Sequence, residues 1–227
     1  MPEATLTAVL GALAAELTPL WDAGAQSRLQ GIPAVRGEVE GAPVLVLETG
    51  VGKAAAAHAA AVAIAAGAAR LLAVGTCGGL TPAAPVGLVL HAGRAVQWDL
   101  APRAGRSADA DPVLAAAWRS VLPGREALLL TADRPAVRLL ERWRRQRAVR
   151  RAGDLPVGWI AAADMETAAI GAVAVRAGVP WAACRVISDA ATPRGAGAFA
   201  RHLPVVGGRA AASVPALIAA LAGRSSG

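Results

Sequence analysis

Cysteine occurs twice in 227 residues, at Cys77 and Cys184. Two thiols exclude a disulfide-stapled scaffold and any zinc site built on cysteines. His58, His91 and His202 are the only histidines, and they stand singly, with no spacing that builds a metal site. Each reads as an ordinary surface or core histidine. No nucleophile elbow and no Ser-His-Asp set can be assembled. Acidic residues are missing between Glu48 and Asp99. Gly50-Val51-Gly52-Lys53-Ala54-Ala55 therefore only imitates a dinucleotide fingerprint, which needs a carboxylate about 20 positions on for a ribose hydroxyl. The same turn fails as a phosphate-binding loop, because Leu47 falls where its first glycine belongs and Ala54 replaces the Ser/Thr that holds magnesium. No cofactor and no metal are expected. A long apolar run is missing too. The longest stretch without Asp, Glu, Lys or Arg, residues 71–93, contains Gly75, Gly78, Gly79, Pro82, Pro85 and Gly87. It reads as strand, turn, strand, whereas a membrane helix needs about 20 mostly apolar residues. Met1-Pro2-Glu3 carries no basic n-region and no secretory segment follows, so a cytoplasmic protein without a membrane partner is expected.

What is present is apolar and basic. Hydrophobic residues make up 55% and charged residues 17%, enough for a large core, although alanine inflates the apolar share. A chain of this length fits one domain, expected to span residues 1–227. The formal net charge is +7, and Lys53 is the only lysine, so 22 of the 23 basic residues are arginine. That bias reflects codon usage in a GC-rich genome. A basic chain can attract nucleic acid or anionic substrates. Six arginines crowd between Arg142 and Arg151, but helical spacing spreads them around most of a helix, the pattern of a solvated surface. No nucleic-acid partner is expected. An RNA-binding surface at these arginines, or a degenerate protein that binds a small ligand without turning it over, are the non-enzymatic alternatives.

Apolar runs and breakers predict strands at residues 5–10, 44–48, 71–74, 86–96, 127–130, 158–161 and 181–187. Helices are predicted at 13–22, 53–67, 110–121, 135–147, 165–178 and 208–221, with a turn at 75–79 and a loop at 103–111. Strands alternating with helices give an α/β fold with a mainly parallel sheet. Such sheets bind ligands at the carboxyl ends of strands. The polar residues of interest fall at these ends: Glu16, the turn 49–52, the segment 75–79, the stretch 131–133, Asp164 to Glu166, and Ser188-Asp189.

Each feature has an ordinary reading. Carboxylates in Asp164-Met165-Glu166 favour the positive end of a helix. Asp189 suits an N-cap, and Glu16 a solvated helix. Cys77 is a small buried filler. Glycines 50, 52, 75, 78 and 79 allow positive φ and let a backbone amide approach an oxygen-rich ligand.

Five segments in order, Gly11-Ala12-Leu13-Ala14-Ala15-Glu16, Gly50-Val51-Gly52-Lys53, Gly75-Thr76-Cys77-Gly78-Gly79-Leu80, Asp164-Met165-Glu166-Thr167-Ala168-Ala169 and Arg185-Val186-Ile187-Ser188-Asp189, resemble the bacterial methylthioadenosine/S-adenosylhomocysteine nucleosidases of the nucleoside phosphorylase family. The resemblance runs from about residue 6 to 221. It implies one α/β domain around a mixed central sheet flanked by helices, a homodimer, and hydrolysis of the bond between a purine and ribose. It further implies that Asp189 protonates the departing base, steadied by Ser188. Glu16 activates water with Arg185 nearby. Glu166 holds the ribose hydroxyls, with Met165 packed on the sugar. Thr76 stands beside sugar and water, Gly78 adjoins the ligand, and Val51 and Phe199 line the pocket for the 5′ substituent. The chemistry is coherent. An oxocarbenium-like sugar calls for one protonated carboxyl on the leaving group and one ionised carboxyl on water.

The chain departs from that pattern. Arg134-Pro135-Ala136 stands where an aromatic would stack on the base, Leu100-Ala101-Pro102 follows Trp98-Asp99 in place of an aromatic-rich partner loop, and Thr192 replaces a second aspartate. The expected substrate is a 5′-modified adenosine, with a futalosine-like or hopanoid-linked adenosine compound as the alternative. A phosphorylase is the other alternative. Against it, Ala73 sits where phosphorylases hold phosphate with arginine, and no arginine lies between Arg70 and Arg94.

Overall fold

The structure is a computed structural model that describes residues 5–81, 83–101, 106–134, 155–190 and 195–224. The predicted helix over 135–147 and the arginine cluster 142–151 lie outside the described residues, as does Thr192.

Ten strands form one mixed sheet. They are β1 (Thr7–Gly11), β2 (Gly24–Leu29), β3 (Ile32–Val39), β4 (Ala42–Glu48), β5 (Arg70–Gly79), β6 (Val89–Gln97), β7 (Ser107–Asp109), β8 (Arg125–Thr131), β9 (Ile160–Asp164) and β10 (Trp181–Asp189). The described helices are α1 (Ala14–Leu17), α2 (Lys53–Ala65), α3 (Pro112–Val121), α4 (Thr167–Ala177), α5 (Gly195–Val206) and α6 (Val214–Arg224). The order β2-β3-β4-β1-β5 continues through β10, β6, β8 and β9, and β9 returns to β5. Five strands therefore close into a ring.

The sheet is not mainly parallel, as alternation alone predicts. β4, β1, β5 and β10 run parallel to one another, and β6, β8 and β9 form a second parallel set. The two sets meet antiparallel at β10–β6 and β5–β9. β5 makes the closure possible by its length. Leu71 to Gly78 pair with β10, while Gly78 and Gly79 also pair with Ala163 and Ala162 of β9.

Alanines 56, 59, 60 and 63 of α2 are fully buried in the larger apolar cluster, which α2 shares with α4 and one sheet face. Their small side chains let the helices lie close to the strands. The opposite face is covered by α3, α6 and the turns before α6, through Leu114, Trp118, Val214 and Leu217. Residues Gly197–Gly223 are apolar and long enough to cross a membrane by length and composition. They are broken into α5, two 3-10 turns and α6, and Val206, Ala210, Ala211 and Ile218 are core residues.

Several elements differ from expectation. The helix predicted over 13–22 shrinks to four residues and a 3-10 turn, Thr18–Leu20, because Pro19 cannot donate to a continuing helix. The turn predicted at 75–79 is strand throughout. Its glycines serve close approach and ring closure. The loop predicted at 103–111 contains β7, paired on β6. β2, β3 and α5 were not predicted. β2 is exposed along almost its whole length, so it has no apolar alternation to reveal it.

Candidate active site

Parallel pairing within each set brings strand ends and strand middles together. Cα pairing sets Arg185 of β10 beside Gly75 of β5, and Asp164, the last residue of β9, beside Thr131, the last of β8. The carboxyl-end rule thus holds for β1, β4, β8 and β9. β5 and β10 contribute from their middles as well as their ends.

Glu16 is fixed by local and distant donors. Its Oε2 accepts from the amides of Ala12 (3.0 Å) and Leu13 (3.2 Å), so the carboxylate folds back over the start of its own short helix. Its Oε1 accepts from the Thr76 amide (2.7 Å) and the Thr76 hydroxyl (2.8 Å). Four donors fill the carboxylate's acceptor directions. Glu16 is 2% exposed, so the solvated-helix reading is wrong. The helix is a single turn packed against β5.

Gly75 makes this contact possible. A Cβ there would lie 2.5 Å from Arg185 Nη1 and 2.7 Å from Glu16 Oε1, and its φ of +141° is one that side-chain-bearing residues rarely adopt.

Arg185 is fully buried. Its Nε donates to Thr167 Oγ1 (3.0 Å) and its Nη1 to the Val74 carbonyl (3.1 Å). Its Nη2 lies 3.3 Å from Asp164 Oδ2 and 3.9 Å from Glu166 Oε2. Burial alone would lower its pKa, but Asp164, Glu166 and Glu16 outweigh burial and leave it raised. Asp164 is equally buried. It accepts from the Thr131 hydroxyl (2.5 Å), the Thr167 amide (3.0 Å) and the Thr167 hydroxyl. Glu166 accepts from the Gly52 amide (3.0 Å). Burial pushes the Glu166 pKa up to about 7; Arg185 and the Gly52 amide oppose the rise, while Asp164 and Glu16 add to it. One guanidinium thus faces three carboxylates in a space shut off from water.

Ser188 and Asp189 close β10. The Ser188 hydroxyl lies 3.0 Å from Asp189 Oδ2 and 3.3 Å from the Cys77 carbonyl, and its single proton serves one at a time. His202 on α5 bonds the Ser188 carbonyl through Nδ1 (2.8 Å). Gly78 is the Cα partner of Asp189. Burial pushes the Cys77 thiol well above its ordinary value and that of Cys184 up to about 12, so neither is poised as a nucleophile.

The structure therefore brings the bonded pair Glu16–Thr76 next to the Arg185–Glu166 pair, with Ser188, Asp189 and Gly78 further along the β5–β10 seam. Met165 is half-buried between the two clustered acids. Phe199 is half-buried on α5, the helix packed against β10. Val51 stays exposed at the tip of its turn. Asp164, Thr167, Thr131 and Gly75 belong to the cluster too; the sequence reading gave Asp164 only a helix-start role and Gly75 only a positive-φ turn, and gave Thr131 and Thr167 no individual role. Asp164 and Thr167 bracket Glu166 in one motif, which was the available signal. Among the described residues no three His, Cys, Asp or Glu side chains group as metal ligands.

A family model described as "Phosphorylase superfamily" matches residues 6–220. No curated protein matches the sequence. Among solved structures, the chain is similar to S-adenosylhomocysteine nucleosidase from Streptococcus pyogenes in complex with 5-methylthiotubericidin. The TM-score is 0.87 at 22% identity, covering 96% of this chain and 97% of that one. It is similar to 5′-methylthioadenosine/S-adenosylhomocysteine nucleosidase from Neisseria meningitidis in complex with methylthio-immucillin-A (TM-score 0.84, 21% identity, 94% and 98% covered). Futalosine hydrolase of Helicobacter pylori is similar as well (TM-score 0.81, 20% identity, 97% and 98% covered). At these identities the likeness is one of fold.

Proposed function

The chain belongs to the phosphorylase superfamily, and from that membership we propose that it hydrolyses the N-glycosidic bond of a 5′-modified adenosine-type nucleoside, releasing base and sugar. The observation that carries this reading is Glu16: a buried carboxylate, held by four donors, set beside Thr76 and facing the guanidinium of Arg185.

In this reading the ribose lies over the cluster, its hydroxyls donating to Glu166, whose Oε1 already takes the Gly52 amide. Met165 packs on the sugar. Asp189 protonates the base. The Ser188 hydroxyl, 3.0 Å from Asp189 Oδ2, steadies that carboxyl. Departure of the base leaves an oxocarbenium-like sugar, and Glu16 takes a proton from water as it attacks. The Thr76 hydroxyl must turn from Oε1 for the water to reach it. Val51, Phe199 and Gly78 border the rest of the ligand. Asp164 keeps Arg185 in place and does not touch substrate. The chain works as a homodimer in the cytoplasm.

Water is favoured over phosphate as nucleophile because the nearby cations are engaged. Arg185 is spent on Asp164, Thr167, Val74 and Glu166. Arg94 pairs with Asp109 on the neighbouring β7 at 2.6 Å. A phosphate dianion beside the Glu16 carboxyl would lack, among the guanidiniums just named, an unengaged one to offset its desolvation.

The test is product analysis with several 5′-substituted adenosines, in phosphate-free buffer and with excess phosphate. Free base and reducing sugar, at a rate indifferent to phosphate, are expected. A sugar 1-phosphate as main product, or a rate that collapses without phosphate, overturns hydrolysis. The futalosine-type alternative has a specific support: Arg134, an exposed residue, follows Asp133 where an adenine-stacking aromatic would stand. Including such a substrate in the panel separates the two.

A further inference from the structure

In a chain that otherwise uses arginine for every basic residue, the single lysine stands at a junction of three strand ends. Lys53 opens α2, directly after the turn that follows β4. Its Nζ lies 2.6 Å from Asp99 Oδ1 and 3.3 Å from Asp133 Oδ2, with its side chain 13% exposed. Asp99 follows β6 and Asp133 follows β8. The two aspartates are tied to each other, since the Asp133 amide donates to Asp99 Oδ2 (3.1 Å). Asp133 also accepts from the Lys53 amide through Oδ1 (3.2 Å).

That last bond has a structural reason. The N-cap of α2 is Gly52, which has no side chain to satisfy the first free amides of the helix. Asp133 supplies the cap from 80 positions away. The preceding amide, that of Gly52, points at Glu166 Oε1. Two consecutive amides thus feed two different carboxylates. They are joined by one residue, Gly52 at φ +103°, which has little steric preference of its own. What sets the direction of the Gly52 amide must come from outside the turn.

We propose that Lys53 is a positioning residue for the active site. By drawing Asp99 and Asp133 onto the start of α2, it holds the Gly50–Gly52 turn in the conformation that delivers the Gly52 amide to Glu166. The catalytic consequence rests on the role given to Glu166 above; the conformational part does not. Lysine is required because the gap between the two carboxylates takes a compact point charge with three donors. The longer planar fork of arginine would push them apart. Burial alone would lower the Lys53 pKa, but Asp99 and Asp133 outweigh it, so the ammonium stays charged.

The charged groups facing Glu166 are Arg185 from β10, Asp164 from β9 and Glu16 from α1. None of them is altered by changing Lys53. A change in Glu166 ionisation in Lys53→Arg, which keeps the positive charge, therefore reports the Gly52 amide, which stabilises the ionised form.

The experiment is a carboxyl-carbon NMR titration of the ligand-free full chain, with labelled glutamate. Glu166 is assigned by the signal lost in Glu166→Gln. In Lys53→Met the Glu166 midpoint is expected to rise by about half a pH unit or more, the scale of losing one charge-assisted hydrogen bond. Lys53→Arg should give the same rise. Asp133→Ala, at an exposed position, should move it in the same direction and serves should Lys53→Met fail to fold. In turnover assays the Lys53 variants should raise KM about tenfold with kcat within about twofold, since one hydrogen bond to a charged group is lost from the ribose-binding residue. An unmoved midpoint in Lys53→Met or in Asp133→Ala overturns the proposal, as does full rescue by Lys53→Arg. A shifted midpoint in a chain that cleaves no nucleoside would sink the nucleosidase reading and leave the positioning role standing.

Discussion

Replacing Glu166 with glutamine should make the ligand-free protein more stable at alkaline pH while abolishing its function. Glu166 keeps a proton far more tightly in the folded chain than its ordinary value of 4.5 would suggest, with a pKa of about 7. At 1.36 kcal/mol per pH unit this is about 3 kcal/mol. The folded protein binds the proton more tightly than the unfolded chain. Stability therefore falls as pH rises from about 4.5 to 7, and the loss is complete above that window. Glutamine carries no charge to bury, and its carbonyl can still accept from the Gly52 amide. Arg185 loses only its 3.9 Å neighbour and keeps Asp164 at 3.3 Å. The variant should therefore match the wild type at pH 4.5 and gain up to about 3 kcal/mol by pH 8.5. At about 2–4 °C per kcal/mol this is readily seen in a melting curve. Urea denaturation at pH 4.5, 6, 7 and 8.5, at one fixed protein concentration, measures it. A destabilised variant at pH 8.5, or a difference that does not change with pH, would falsify the picture of three carboxylates competing for one guanidinium.

Two further substitutions probe the same centre. Asp189→Asn should lower turnover by about 10²–10⁴-fold, the worth of general acid help, with the melting temperature nearly unchanged because the residue is only partly buried. Retention of more than about a tenth of the rate would remove Asp189 from the mechanism. Gly75→Ala combines backbone strain with a methyl group driven into Glu16 and Arg185. It should cost about 2–6 kcal/mol in urea denaturation, and an unchanged midpoint would show that β5 bends without glycine.

Much of this centre could be seen in the sequence because it sits where local rules speak loudly. The Gly50–Gly52 turn, the Asp164–Glu166 motif and Ser188-Asp189 each follow an apolar run and interrupt it with a polar or glycine residue. Other parts depended on pairing that no local rule encodes. Gly75 looks like a turn glycine. Only the approach of Arg185 from β10 and Glu16 from α1 shows that it is a strand residue stripped of its side chain. Asp164 looks like a helix-start acid, and it does accept the Thr167 amide. Its partner Arg185 lies 21 positions further on, brought back by β10. The hairpin β2–β3 stayed hidden because β2 faces water along most of its length, leaving periodicity nothing to act on.

The place of β10 in the ring sets the order in which a newly made chain can acquire its site. β10 is the last strand in sequence, yet it lies between β5 and β6. A nascent chain halted near residue 180 holds two parallel blocks, β4-β1-β5 and β6-β8-β9, whose strands pair with each other, among the described residues, where Gly78 and Gly79 meet β9. Three buried carboxylates then await a cation that has not yet left the ribosome. When residues 181–189 emerge, they fill the gap between the blocks and carry Arg185 into the acidic centre in the same movement. Long-range strand insertion of this kind is slow, and the waiting edges of β5 and β6 are exposed meanwhile. Completion of the sheet and arrival of the buried guanidinium are one event, so a chain truncated before β10 has neither a closed sheet nor a complete active centre.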